Sequence, residues 1–187
     1  VGGKPIFADV VGPNDWTIDS SDVERKLTSR TRAIIPMHYA GFPCDMEQLN
    51  VLAREHGLKI IEDACHGLGG DFSGRPMGGL ADIGCFSFYS NKIITTGGGG
   101  MVVTNDNELA HTLKHLTTTA KLSHAWRYEH DAIGYNYRLP NINAALGCAQ
   151  LERLDEMLAL KRRLSELYTE LFGNLLGIQK VFSGITV

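Results

Sequence analysis

Short apolar runs of strand composition alternate along this chain with capped segments of helical period, and that alternation restricts the fold more than any other feature. The runs are Ile6 to Val10, Arg32 to Met37, Leu58 to Glu62, Ile83 to Tyr89 and Gly100 to Thr104. Strand, helix and strand in turn make the pattern of an α/β layered fold around a largely parallel sheet. Between the first two runs, Ser21 followed by Glu24 forms a capping box ahead of Val23 and Leu27, which predicts a short helix. Between the second and third, Asp45 with Gln48 opens a helix whose Leu49, Leu52 and Ala53 share one face, and Gly57 closes it. This unit is a βαβ crossover, right-handed by default. Asp106 caps a further helix carrying Leu109, Leu113 and Leu116 on one side. After Pro140 the strand runs stop, and the periodicity from Asn141 to about Phe172 predicts one or two helices that lead away from the sheet domain.

Composition excludes several classes. The 187 residues are 43% hydrophobic and 21% charged, which is an ordinary globular balance. A net charge of -3 and a pI near 6.2 leave no basic stripe for nucleic acid or an anionic membrane. No apolar stretch has the length of a bilayer span, and VGGKPIFADV has neither the charged region nor the apolar core of a signal peptide. The expected compartment is the cytoplasm. Cys44, Cys65, Cys85 and Cys148 show no CxxC spacing and are expected to be reduced thiols. The chain opens on Val1, almost directly in an apolar run, and ends in LGIQKVFSGITV without an evident closing element, so it is expected to be a piece of a longer protein.

The C-terminal ends of parallel strands are where α/β folds place ligands. Asp63 closes the run KIIED at such an end, where position alone leaves it two roles: a turn or capping residue, or a carboxylate for a protonated heteroaromatic nitrogen. His66 lies three residues on, as an ordinary hydrogen-bonded histidine or a group beside the same ligand. Lys92 follows the run FSFYSN, either as a solvated strand end or as an amine that takes an aldehyde as a Schiff base. Ser87, five positions earlier, can offer a hydroxyl to a phosphate. An amine and a carboxylate delivered by two strand ends are what is needed to hold pyridoxal phosphate (PLP) by its aldehyde and its ring nitrogen.

Other patterns are weaker. Gly97 to Gly100 permit close backbone approach, but no Gly-Lys-Ser/Thr follows and the run does not open a helix, so it is neither a P-loop nor GxGxxG. His111 and His115 share a helix face without a third ligand or HExxH chemistry and read as surface histidines. Trp126, Tyr128, Tyr135 and Tyr137 can stack a ring but read first as loop packing. No GxSxG elbow is present.

The segments EDACHG, SGRPMGGLADIGCFSFYSNKIITTGGGGMVVTND and HDAIGYNYRLPNINAALGCAQLERLD together closely resemble the DegT/DnrJ/EryC1/StrS family of PLP-dependent sugar aminotransferases, through nearly the whole chain. NKIITTGGGG and HLTTTAK are most similar to the branch acting on UDP-4-keto-N-acetylhexosamine sugars, as in bacillosamine and legionaminic acid synthesis.

The resemblance implies an aspartate-aminotransferase-like fold (PLP fold type I). Residues 1–140 would be part of the large PLP-binding domain, and residues 141–187 the linking helix and the beginning of a small C-terminal domain. It implies that Lys92 carries the cofactor aldehyde, that Asp63 pairs with the pyridine nitrogen, that His66 sits beside the ring and that Ser87 contacts the phosphate. Asn136, in GYNYR, matches the asparagine that reaches the neighbouring subunit's cofactor phosphate, which implies a homodimer with shared sites. Arg138 and His38 match segments near the substrate. The family's Gly-Thr phosphate anchor and its ring-stacking aromatic residue would precede Val1. The implied reaction moves an amino group from L-glutamate to a nucleotide-linked 4-keto sugar for bacterial surface-glycan precursors. Rival readings are amination of another keto sugar or a cyclitol, a non-catalytic PLP-binding or assembly module, and a nucleotide-binding α/β protein using the glycine run.

Overall fold

The computed structural model describes residues 2–173. Its centre is a four-stranded sheet of β3 (Ala33–Ile34), β4 (Lys59–Asp63), β7 (Ile83–Ser87) and β8 (Gly100–Val103), paired in that order. The β3–β4 and β4–β7 pairs are parallel, whereas β7–β8 is antiparallel. The sheet is therefore mixed and mostly parallel. Its antiparallel step follows from the short return between Ser87 and Gly100, with Gly97 and Gly99 at φ of 80° and 103° in the left-handed region that glycine tolerates.

The first expected strand is displaced. Ile6 and Phe7 are exposed and unpaired to any strand, and the hairpin begins later, as β1 (Val10–Gly12) against β2 (Asp15–Ile18). In helix α1 (Ser20–Lys26) the cap is Asp19, which accepts from the Ser21 N–H at 2.8 Å, rather than Ser21 itself. Aspartate offers a full charge to the orphan amides at the start of the helix. Helix α2 (Met46–His56) is capped as its sequence requires: Asp45 accepts from Gln48 N–H at 3.0 Å, and Gly57 ends it at φ 63°. A second small hairpin, β5 (Asp71–Phe72) and β6 (Arg75–Pro76), turns on Ser73 and Gly74, both at positive φ. Asp106 caps α3 (Asn107–Thr117) through Glu108 and Leu109 N–H. The long periodic segment is two helices, α4 (Asn141–Leu151) and α5 (Leu154–Phe172). The terminal LGIQKVFSGITV lies outside the described residues.

One face of the sheet carries the core. Ile34 and Ile60 pack with Val23 of α1, with Met46, Leu49, Leu52 and Ala53 of α2, and with Met77 and Leu80. Side chains alternate across a strand, so Ile60 and Glu62 point into this core while Ile61 and Asp63 point to the other face. Gly84 lies opposite Glu62 in register, and the Gly78 backbone crosses directly over it. A β-carbon at position 84 would collide with the Gly78 carbonyl, which cannot swing away as a side chain would. Gly84→Ala is expected to cost about 2–3 kcal/mol, the upper part of the range for overpacking, read as a lower urea midpoint of the protein. An unchanged midpoint would show that the backbone around Gly78 is free to move off the sheet, contrary to its packing.

Candidate active site

The site is built from the tips of two parallel strands. Asp63 is the last residue of β4 and pairs in register with Cys85 of β7, so the two side chains share a face, and Ser87 lies on that face two residues further along. Strand geometry puts the Asp63 and Ser87 positions about 8 Å apart, the reach of a small aromatic phosphate ester. Beyond Ser87 the chain leaves the sheet and forms the loop that carries Lys92, whose N–H bonds the Tyr89 carbonyl at 3.1 Å.

Next to this strand tip, Cys65 feels the charge of both groups. Burial pushes its thiol up to about 11, the Asp63 carboxylate adds to the rise by hydrogen bond and by charge, and the Lys92 ammonium opposes it. Asp63 and Lys92 thus act on one thiol with opposite sign. The Asp63 side chain accepts from Cys65 N–H at 3.1 Å, which fixes the carboxylate at the strand tip. Lys92 is half-buried and has neither hydrogen bond nor ion pair at its amine among the described residues. The Ser87 hydroxyl accepts from Tyr89 N–H at 3.3 Å and keeps its own proton to donate.

His66 stands at the edge of this group. Its Nδ1 accepts from the Ala40 N–H at 3.2 Å, so the neutral ring carries its proton on Nε2, and that nitrogen is left for a ligand. Ala40 reaches it from a turn at φ 53°, a costly conformation for a residue with a β-carbon. Tyr39 lies edge-on to His66 with centroids 6.4 Å apart, and Trp16 lies edge-on to Tyr39 at 5.3 Å.

His38, expected near the substrate, is fully buried, and both ring nitrogens are engaged: Nδ1 accepts from Cys44 N–H at 3.1 Å and Nε2 meets Glu62 at 3.0 Å. The residue sits on the core face of the sheet, where a polar ring needs internal partners. Its partner Glu62, which the sequence pattern alone did not single out, also accepts from Gly78 N–H at 2.6 Å and Leu80 N–H at 2.7 Å. Burial raises the Glu62 carboxyl, but the His38, Gly78 and Leu80 donors together outweigh it and hold the group below its ordinary value. A glutamate in phase with Ile60 on a buried strand was the available signal.

Asn136 and Arg138 lie in the loop between α3 and α4. Both are exposed, Arg138 Nε donates to Asn136 Oδ1 at 3.0 Å, and Asn136 bridges to Thr118. Their loop is held by His115 against Asp131 at 2.6 Å and by stacked Tyr135 and Tyr137. His115 is therefore engaged with a carboxylate of that loop.

This arrangement matches known proteins. The model of the DegT/DnrJ/EryC1/StrS aminotransferase family covers residues 1–183, and the chain belongs to that family. It is 43% identical over 179 residues to GDP-perosamine synthase of Escherichia coli O157:H7, covering 96% of this chain and 49% of that protein. Among solved structures, Helicobacter pylori PseC, an aminotransferase of pseudoaminic acid biosynthesis, superposes with a TM-score of 0.88 at 34% identity, covering 94% of this chain and 47% of that one. A Streptococcus pneumoniae chain described as a putative sugar aminotransferase in its PLP form gives 0.84 at 25% identity, covering 97% and 52%. The fold is the PLP fold type I of the aspartate aminotransferases. The chain spans about half the length of the relatives it matches. No helix among the described residues is long and apolar enough to cross a membrane.

Proposed function

We propose that the protein containing this chain is a PLP-dependent aminotransferase that moves an amino group from L-glutamate to a nucleotide-linked 4-keto sugar. The observation that carries the reading is the placement of Asp63 at the tip of β4 and of Lys92 in the loop that follows the adjacent parallel β7, with Ser87 on the Asp63 face, in a chain of this family. The residues fit the cofactor: Lys92 offers an amine with no hydrogen bond or ion pair among the described residues, Asp63 a carboxylate at the strand tip, and Ser87, on the Asp63 face, a hydroxyl proton. When bound, PLP supplies an aldehyde that exchanges amines and a ring that accepts electron density from the carbon losing its proton.

Each residue then has one task. Lys92 Nζ would hold the aldehyde and, as the free amine, would carry the proton at the donor Cα. Asp63 keeps the ring nitrogen protonated by charge, without itself transferring that proton. His66 would stand beside the ring with its Nε2–H, and Ser87 would donate to the phosphate. Asn136 serves the partner subunit's phosphate, which accounts for its exposure in a single chain and makes the working unit a homodimer. Arg138, tied to Asn136, is assigned to the substrate side.

The relatives named above act in GDP-perosamine and pseudoaminic acid synthesis, which supports a nucleotide-linked sugar. The 4-keto position on a UDP-N-acetylhexosamine is the finer part of the proposal, with the product entering surface glycans and the work done in the cytoplasm. Residues 1–140 belong to the large domain in this reading, and 141–187 begin the small one.

The test is direct. Borohydride treatment of the full-length protein with PLP is expected to leave a phosphopyridoxyl group on the peptide containing Lys92, and glutamate with a UDP-4-keto sugar is expected to give a 4-amino sugar and 2-oxoglutarate. A label on another lysine, or none, would overturn the assignment.

A further inference from the structure

The loop bearing Lys92 is short of internal support. Its ends are fixed, since Phe88 N–H bonds Gly99 O at 3.0 Å and Thr96 N–H bonds Phe88 O at 3.0 Å, but among the described residues the backbone of 89–94 is held only by Lys92 N–H on the Tyr89 carbonyl and Tyr89 N–H on the Ser87 hydroxyl. Further anchors come from α4. Gln150 Oε1 accepts from Thr95 N–H at 2.7 Å, and Asn143 Nδ2 donates to Thr96 O at 2.5 Å. Between them Gly147 lies against Thr96, where a β-carbon would come within 2.9 Å of its methyl group.

Positions 143, 147 and 150 make one stripe of a helix, at i, i+4 and i+7. In a helix otherwise built from Asn141 at its start and then Ile142, Ala144, Ala145, Leu146, Cys148, Ala149 and Leu151, the stripe that meets the loop is amide, glycine, amide. Thr96 is buried, so an apolar helix face there would leave its carbonyl without a donor. The glycine brings the helix close enough for the two amides to reach the backbone.

We infer that Asn143 and Gln150 are positioning residues for Lys92: they hold the main chain three and four residues beyond it and so fix where its amine can reach. Neither touches the reacting atoms. Proton transfer by an amine depends on placement to a fraction of an ångström, which a flexible four-carbon side chain on a loose loop does not provide. The inference rests on the role proposed for Lys92.

Hydrogen-bond chemistry at the two positions differs, and the test uses that difference. Gln150 must accept, so Gln150→Glu keeps the bond and Gln150→Leu loses it; Asn143 must donate, so Asn143→Asp turns a donor into an acceptor facing a carbonyl. In the full-length protein, Q150L and N143D are expected to raise hydrogen exchange of residues 88–99 about tenfold each, while peptides from α2 and β4 keep wild-type protection. The same variants should lower kcat for amino transfer by on the order of tenfold to a hundredfold with the glutamate KM little changed, and Q150E should recover most of both losses. Unchanged exchange in the loop overturns the inference, as does Q150E behaving like Q150L. Protection lost evenly through the whole protein in both Q150L and N143D would make these residues supports of the fold and overturn it equally. A wild-type protein that takes no PLP on Lys92 would refute the function proposed above while leaving the exchange result to stand separately.

Discussion

Replacing Lys92 by alanine is expected to abolish amino transfer in the full-length protein, with a loss of at least about 10³-fold, while leaving its stability within about 0.5 kcal/mol of wild type. The two halves of that expectation have separate causes. Activity falls because the substitution removes both the covalent anchor for the cofactor aldehyde and the amine placed to carry a proton at the Cα, each a large contribution in its own right. Stability holds because the Lys92 amine has no hydrogen bond or ion pair among the described residues, so truncation orphans no partner, and the backbone bond to Tyr89 is kept. The charge is felt by Cys65, whose thiol would rise further once the opposing ammonium is gone. Turnover with glutamate and keto sugar, measured beside a urea unfolding curve, checks both. Retained turnover would sink the assignment of Lys92, and a large loss of stability would mean that the loop depends on the side chain.

Features that depend on neighbours in sequence were legible from it. Asp45 and Gly57 bound α2 because a cap and a left-handed stop act within one turn, and Asp106 does the same for the start of α3. Asp63 and Lys92 were readable as candidates because strand ends and ligand sites coincide in α/β folds. What depended on distant partners was not legible. Ile6 and Phe7 have strand composition, but no strand pairs with them, and composition alone does not supply a partner. The antiparallel return of β8 follows from the glycine turn after the lysine loop, which local patterning of apolar residues does not encode. The burial of His38 was likewise not legible, because its partner Glu62 lies on a different element. Asn143 and Gln150 were masked by the apolar residues around them, although their spacing on one helix face was a readable signal.

Glu62 separates the site from the core, and its removal is expected to be the most destabilising change considered for this chain. Glu62→Ala leaves three buried donors without an acceptor, at His38 Nε2, Gly78 N and Leu80 N, and is expected to cost about 3–5 kcal/mol at pH 7. Because the His38 backbone N–H bonds the Asp63 carbonyl, the loss also loosens the strand tip that aims Asp63. Glu62→Gln keeps the shape but turns an amide donor toward at least one of the same donors, so it costs less and removes the charge. The pH dependence distinguishes the two effects. An unperturbed glutamate titrates near 4.5 and the folded Glu62 lies below that, so its contribution is complete above the unfolded value and is lost as pH falls from 4.5 through the folded value. The wild-type urea midpoint should therefore drop between about pH 6 and about pH 3.5 by more than that of E62Q, whose position 62 no longer titrates. Parallel acid limbs for wild type and E62Q, or an E62A midpoint at pH 7 within the scatter of surface substitutions, would show that this carboxylate does not hold the two faces of the sheet together.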